Sequence, residues 1–227
     1  MQDIDDSVQK LAISVNNNID KLKRVIRSID KYSCPKNINL HCHTIFSDGS
    51  LSPEQLIIQA KELGIKHIAI TDHHSINAYS YALRSIGHSN TINLWSGIEI
   101  SCILKNCLVH IIGLGIDINS PYLLPYINNE ATIGNDLQAQ TVILSIQKSG
   151  GLSILAHPAR YRIDFKDLID ESYKLGIDGI EVWYDYEMTS IWKPSDYICN
   201  CIDNYIQQYD LLATCGTDTH GESLLSR

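Results

Sequence analysis

Seven short apolar runs alternate with segments of helical periodicity between Ile38 and Cys215, and this alternation restricts the fold more than any other feature of the chain. The runs are Ile38–His41, His67–Thr71, Trp95–Ser101, Leu108–Gly113, Leu152–Ala156, Gly179–Trp183 and Leu211–Cys215, and each reads as a buried strand. Between the first two, Ser52-Pro53-Glu54-Gln55 offers an N-cap, a proline at the first helical position and a capping-box partner, and Gly64 closes that helix. Helices are also predicted over Ser75–Ile86, Ala131–Ser149, Asp164–Leu175 and Pro194–Tyr209. Strands alternating with helices give an α/β fold on a parallel sheet, open or closed into a barrel. One link breaks the rule. The residues around Lys105-Asn106, between the third and fourth runs, are too few for a helical crossover, so that pair is a hairpin or shares a loop edge.

A different pattern precedes the strands. Val8, Leu11, Val15, Ile19, Leu22, Val25, Ile26 and Ile29 recur at steps of three and four, the stripe of an amphipathic helix. Residues 1–33 therefore form an appended N-terminal helix and 34–227 the body, which suits a chain of 227 residues. The stripe packs on the body or on a second copy of the chain, and the second case would make a homo-oligomer.

Charge and cysteine usage narrow the partners. The chain carries 18 Lys and Arg against 26 Asp and Glu, for a net charge of -8, the opposite of a footprint for stable duplex nucleic acid binding. Seven cysteines contain no C-x-x-C pair, which argues against a disulfide framework or a zinc ribbon and for buried free thiols. Without an apolar leader at MQDIDDSVQK or a run of membrane-spanning length, the expectation is a soluble protein of a reducing compartment, the cytoplasm.

The nine histidines require a reason. His67 begins a strand and reads as a core residue; His88, in Gly87-His88-Ser89-Asn90, reads as a solvated turn. The other seven recur at corresponding points of different strands. His41-Cys42-His43 ends the first and Thr71-Asp72-His73-His74 the second, while His110 lies in the fourth. His157 follows the fifth, and Asp218-Thr219-His220 follows the last. Glu99 lies near the end of the third strand, and Asp48 adds a carboxylate in the turn after His43. In parallel α/β architectures the C-terminal strand ends converge on one face, where sites are built. On a strand, H-x-H turns both imidazoles to one face, so His41 and His43 can bind one ion; the same period applies to Asp218 and His220 if that segment stays extended. A donor set of nitrogen and oxygen without thiolate leaves Zn, Mn and Fe as candidates.

These residues resemble the PHP family, the polymerase and histidinol phosphatase superfamily of metal-dependent phosphoesterases. The matching blocks are HCHTIFSDGS at 41–50, TDHH at 71–74, GIEIS at 97–101, His110, HPAR at 157–160 and GTDTHG at 216–221. The resemblance implies a distorted seven-stranded, TIM-like β/α barrel and a trinuclear site. One ion would be held by His41, His43, Glu99 and Asp218, a second by Glu99, His110 and His157, and a third by Asp48, His73 and His220. It further implies hydrolysis of a phosphate monoester, of a nucleotide or another small phosphorylated metabolite, by metal-activated water. Arg160 matches the family's phosphate-clamping arginine, with a surface salt bridge as the alternative. His74 contacts the phosphate or protonates the leaving group, or supports a neighbouring ligand. Asp72 orients a ligand; Glu181 either does so or is a paired barrel residue. Tyr184, Tyr186 and Trp192 form a stacking wall for a base or pack on the barrel. Two other functions stay open: a nuclease or proofreading activity on single strands, taking short oligonucleotides, and a metal-stabilised interaction module. Related nucleotide phosphatases and RNA-trimming enzymes carry a large insertion between the corresponding histidines, whereas only 46 residues separate His110 from His157 here.

Overall fold

The computed structural model describes residues 18–87 and 91–226. The predicted runs become strands β1 (Ile38–Asn39), β2 (His67–Ala69), β3 (Asn93–Trp95), β4 (Gly97–Leu104), β5 (Cys107–Leu114), β6 (Leu152–Leu155), β7 (Gly179–Trp183) and β8 (Leu212–Cys215). The third run is thus two strands, interrupted at Ser96. Helix α1 occupies described residues 18–26, followed by α2 (Pro53–Leu63), α3 (Ala78–Ile86), α4 (Ala139–Lys148), α5 (Phe165–Lys174) and α6 (Asp196–Ile206). The start of α2 forms as its sequence dictates. The Ser52 side chain accepts the Gln55 N–H, the Gln55 side chain returns to the Ser52 N–H, and Gly64 ends the helix at φ +75°. Helix α4 is shorter than the predicted 131–149, because residues 134–137 wind as a 3-10 turn before it.

Strands β1, β2 and β3 form one parallel sheet; β4 to β8 form a second, in sequence order. The Lys105-Asn106 link is a two-residue hairpin joining β4 to β5, with Leu104 opposite Cys107 and both turn residues at positive φ, +50° and +58°. The expectation of parallel pairing elsewhere fails once, since β5 also runs antiparallel to β6. This reversal brings His110 to the C-terminal end of β6, where Ala156 N–H donates to the His110 carbonyl at 3.0 Å. The sheets meet at two places that matter for the site. Cys42 bridges Thr219 beyond β1 and β8, and His73 bridges Glu99 beyond β2.

Leu22 and Ile26 of α1 are buried in the main core with strand residues such as Ile98 and Ile111, and Ile19, Val25 and Ile29 pack against it. The described part of the stripe therefore covers the body rather than facing outward. Burying one such side chain stabilises the fold by about 1.5–3 kcal/mol. The stripe residues Val8, Leu11 and Val15 lie outside the described residues, as does the turn at His88. All seven cysteines are free thiols, six of them buried. No helix among the described residues is long and apolar enough to cross a membrane.

Candidate metal centre

Glu99 is the hub. It is buried on β4, and His41, His43 and His73 each place a ring nitrogen 3.1–3.3 Å from its Oε2, while His110 and His157 approach Oε1 at 3.0 and 3.4 Å. Two glycines in the adjoining loops make this convergence feasible. A Cβ on Gly216 would lie 2.1 Å from that of His41, and one on Gly49 would lie 2.5 Å from the His43 carbonyl carbon, so both positions need glycine for close approach. His41, His43, Glu99 and Asp218 form one buried group; His41 Nε2 and His43 Nε2 face each other at 3.1 Å, with Asp218 Oδ1 at 3.3 and 3.1 Å from them. His43, Asp48, His73 and His220 form a second group toward solvent, where Asp48 Oδ2 lies 3.2 Å from His220 Nε2. His73, Glu99 and His110 form a third. In each group the donor atoms lie within 4.8 Å of one another.

These groups match the expected partition with two differences. His73 also groups with Glu99 and His110, through Glu99 Oε2, while His157 shares Glu99 Oε1 with His110. His43 joins two groups instead of one. Asp218 is not extended. Its φ is +52°, and His220 Nδ1 turns back to the Asp218 carbonyl at 2.7 Å, so the period-of-two expectation for these residues fails. His157, at φ +29°, and His74, at φ +50°, also adopt left-handed backbone next to the site, a strain that packing must sustain.

A ring of further contacts orients the donors. Glu181 Oε1 lies 2.9 Å from His41 Nδ1, and its Oε2 accepts the His157 backbone N–H at 2.9 Å. With the His41 proton on Nδ1, toward Glu181, its Nε2 lone pair faces the cluster. Asp72 accepts from Thr44 N–H and Oγ1 and from Ser47 Oγ at 2.6–2.8 Å, fixing the turn that carries Asp48. The Tyr161 hydroxyl accepts the His110 N–H at 2.8 Å. His74 points elsewhere: its Nε2 accepts the Ser101 backbone N–H at 3.2 Å, and its own N–H donates to the Glu99 carbonyl. Arg160 stands at the edge of the cluster, with Nη1 3.1 Å from both Asp218 Oδ2 and the Tyr184 hydroxyl. Tyr184, Tyr186 and Trp192 do not make an open stacking wall; Tyr184 and Trp192 are buried, and the Tyr184 hydroxyl donates to Asp218 Oδ2 at 2.7 Å. No motif singled out that hydroxyl, but its place one residue beyond the C-terminal end of β7 was a signal of the same kind as the histidines.

The electrostatics and the unsatisfied atoms fit divalent cations. Although burial alone would lower it, the His43 pKa is raised to about 9 by the adjoining Asp218 and Glu99 carboxylates. Burial opposes ionisation of Glu99 and Asp218, yet the surrounding histidines hold both carboxyls well below their ordinary range. Burial dominates at His73, which falls to about 4, and lowers His157. Glu99 Oε2 and His73 Nδ1 are buried without a hydrogen-bond partner although they lie 3.3 Å apart. Buried polar atoms left in this way carry a cost that a shared cation would remove. The donors are imidazole and carboxylate without thiolate, a set suited to Zn, Mn or Fe.

A family model described as the PHP domain matches residues 39–187. The chain is 37% identical over 112 residues to the 5'-3' exoribonuclease Rnm of Escherichia coli, an alignment covering 49% of this chain and 38% of that protein. It is 36% identical over 87 residues to a 3',5'-nucleoside bisphosphate phosphatase of Chromobacterium violaceum, covering 38% of this chain and 30% of that one. These alignments span less than two fifths of each relative. Among solved structures, an amidohydrolase from Chromobacterium violaceum with bound sulfate superposes with a TM-score of 0.70 at 21% identity, over 84% of this chain and 89% of that one. At that identity the likeness concerns the fold.

Proposed function

The chain belongs to the PHP domain family, and from that premise we propose that it is a metal-dependent phosphoesterase hydrolysing a phosphate monoester of a nucleotide or another small phosphorylated metabolite. The observation that carries the reading is the convergence of six histidines on Glu99, Asp48 and Asp218 at one end of the strands. In this reading three divalent ions, Mn, Zn or Fe, are held by His41, His43, Asp48, His73, Glu99, His110, His157, Asp218 and His220. Such ions supply Lewis acidity and a water nucleophile at neutral pH. The chain's own part is positional. Glu181 sets the His41 tautomer, Asp72 holds the turn bearing Asp48, and Arg160 engages the substrate phosphate from the rim. His74 acts by supporting the strand that carries Glu99, its Nε2 accepting the Ser101 backbone N–H.

The same reading includes a distorted barrel. Counting β3 and β4 as one run leaves seven strands, and the Cys42–Thr219 and His73–Glu99 bridges link the two sheets on both sides. It keeps residues 1–33 as an N-terminal extension of a 34–227 catalytic body, in the cytoplasm; of that extension, the described helix covers residues 18–26 and the chain turns over 27–33. A second substrate class, short single-stranded oligonucleotides, is favoured by the exoribonuclease relative and by the short His110–His157 connection. The test is a hydrolysis screen over nucleotides, sugar phosphates, histidinol phosphate and short oligonucleotides with Mn, Zn and Fe compared. Release of phosphate from a small monoester with more than one metal per chain is expected. Faster turnover of oligonucleotides would select the second class, and no turnover with any metal would overturn both.

A further inference from the structure

Arg160 reaches the site from a 3-10 turn at Pro158–Arg160. Its side chain is about a third exposed. A long guanidinium in that setting loses substantial rotamer freedom when it binds an anion, unless something holds it beforehand. Here Nη1 is held twice, by Asp218 Oδ2 and by the Tyr184 hydroxyl, each at 3.1 Å. The same hydroxyl donates to Asp218 Oδ2 at 2.7 Å, which closes a triangle. Only a group that donates and accepts at once completes it, and a phenol does so where phenylalanine does not. The Tyr184 backbone is itself fixed, its carbonyl accepting the Ser195 N–H at 3.0 Å and the Cys199 thiol at 3.3 Å. Its ring is buried against His157 and Tyr186, with centroids at 5.3 and 4.9 Å.

We infer that Tyr184 is a positioning residue that sets Arg160 for the substrate phosphate, an inference that rests on the phosphoesterase reading. With Nη1 turned inward, Nε and Nη2, which have no hydrogen-bond partner among the described residues, remain for the anion. That edge presents parallel N–H groups matched to two phosphate oxygens. Asp218 has divided duties: Oδ2 anchors the triangle, and Oδ1 faces His41 and His43.

Tyr184→Phe keeps the buried ring and removes the relay. The experiment titrates inorganic phosphate into the manganese-loaded full chain by calorimetry, alongside KM and kcat for p-nitrophenyl phosphate, for wild type, Tyr184→Phe, Arg160→Ala and the double variant. Expected for Tyr184→Phe is a phosphate Kd and a KM raised about five- to tenfold, the net scale of one hydrogen bond felt through Arg160, with kcat within about twofold. Metal content by elemental analysis should equal that of the wild type. In the Arg160→Ala background the same change should shift Kd less than about twofold, because its route to the anion is gone. Phosphate bound by Tyr184→Phe as tightly as by wild type would overturn the inference. So would an equal loss with Arg160 absent, or a loss of metal that tracks the loss of phosphate binding. A wild type that neither binds nor releases phosphate would overturn the phosphoesterase reading itself, and is distinguishable because the wild type is then inert from the start.

Discussion

His67 and His73 stand at the two ends of one strand, β2 with its extension, and share a residue type but no function. His67 opens the strand at the end covered by α1, where its ring stacks on Trp95 at 6.1 Å and Lys21 is nearby. Burial, and then Lys21 and Lys66, lower its pKa, and no carboxylate faces it among the described contacts. His73 lies past the other end, where its Nδ1 is 3.3 Å from Glu99 and its ring is 4.7 and 4.8 Å from those of His43 and His110. The difference teaches that the histidine excess is not a property of the strands but of one end of them. Successive strands deliver side chains to a common point at that end, while helix packing closes the other.

The sharpest way to break this contrast is at Glu99. Glu99→Ala should cost at least about 10²-fold in kcat/KM and release metal, since even residues behind the ligands commonly cost 10–100-fold. Exhaustive chelation should match it and be reversed by added Mn or Zn; an active, metal-free protein would remove the metal reading altogether. Next in size, Glu181→Gln should weaken metal affinity about 10- to 100-fold by freeing the His41 tautomer, checked by competition with a chromogenic chelator. At the opposite end, Leu22→Ala should destabilise the fold by about 2–5 kcal/mol in denaturant melts while metal stoichiometry is kept. The smallest effect should come from His67→Leu, with turnover unchanged. His67 is held below its ordinary pKa by burial, so the unfolded chain binds the extra proton first and stability falls as the pH drops below about 6.5. The substitution should flatten that part of the stability profile; an unaltered slope would show that other groups produce it.

Much of the candidate site was legible because motifs and strand ends coincide. His41, His43, Asp48, His73, Glu99, His110, Asp218 and His220 all enter the donor groups, and each precedes, follows or lies in a strand that hydrophobic pattern alone located. What escaped was direction. His74 and Asp218 adopt positive φ, where a period of two no longer says which way a side chain points, and so His74 faces Ser101 and Asp218 folds back on His220. The β5 reversal escaped for a related reason. A 37-residue connection containing α4 is long enough for a parallel crossover, and nothing local states that β6 runs the other way.

By itself, the sequence determined the element order, the capped start of α2, the tight β4–β5 turn and the choice of nitrogen and oxygen donors, because these depend on residues a few positions apart. Only the tertiary structure decided which histidines share a carboxylate, that His110 and His157 meet at Glu99 Oε1, and that Tyr184 joins Arg160 to Asp218. Arg160, Tyr184 and Asp218 lie 24 to 58 residues apart, and the strand packing that brings them within hydrogen-bond distance is a property of the whole chain.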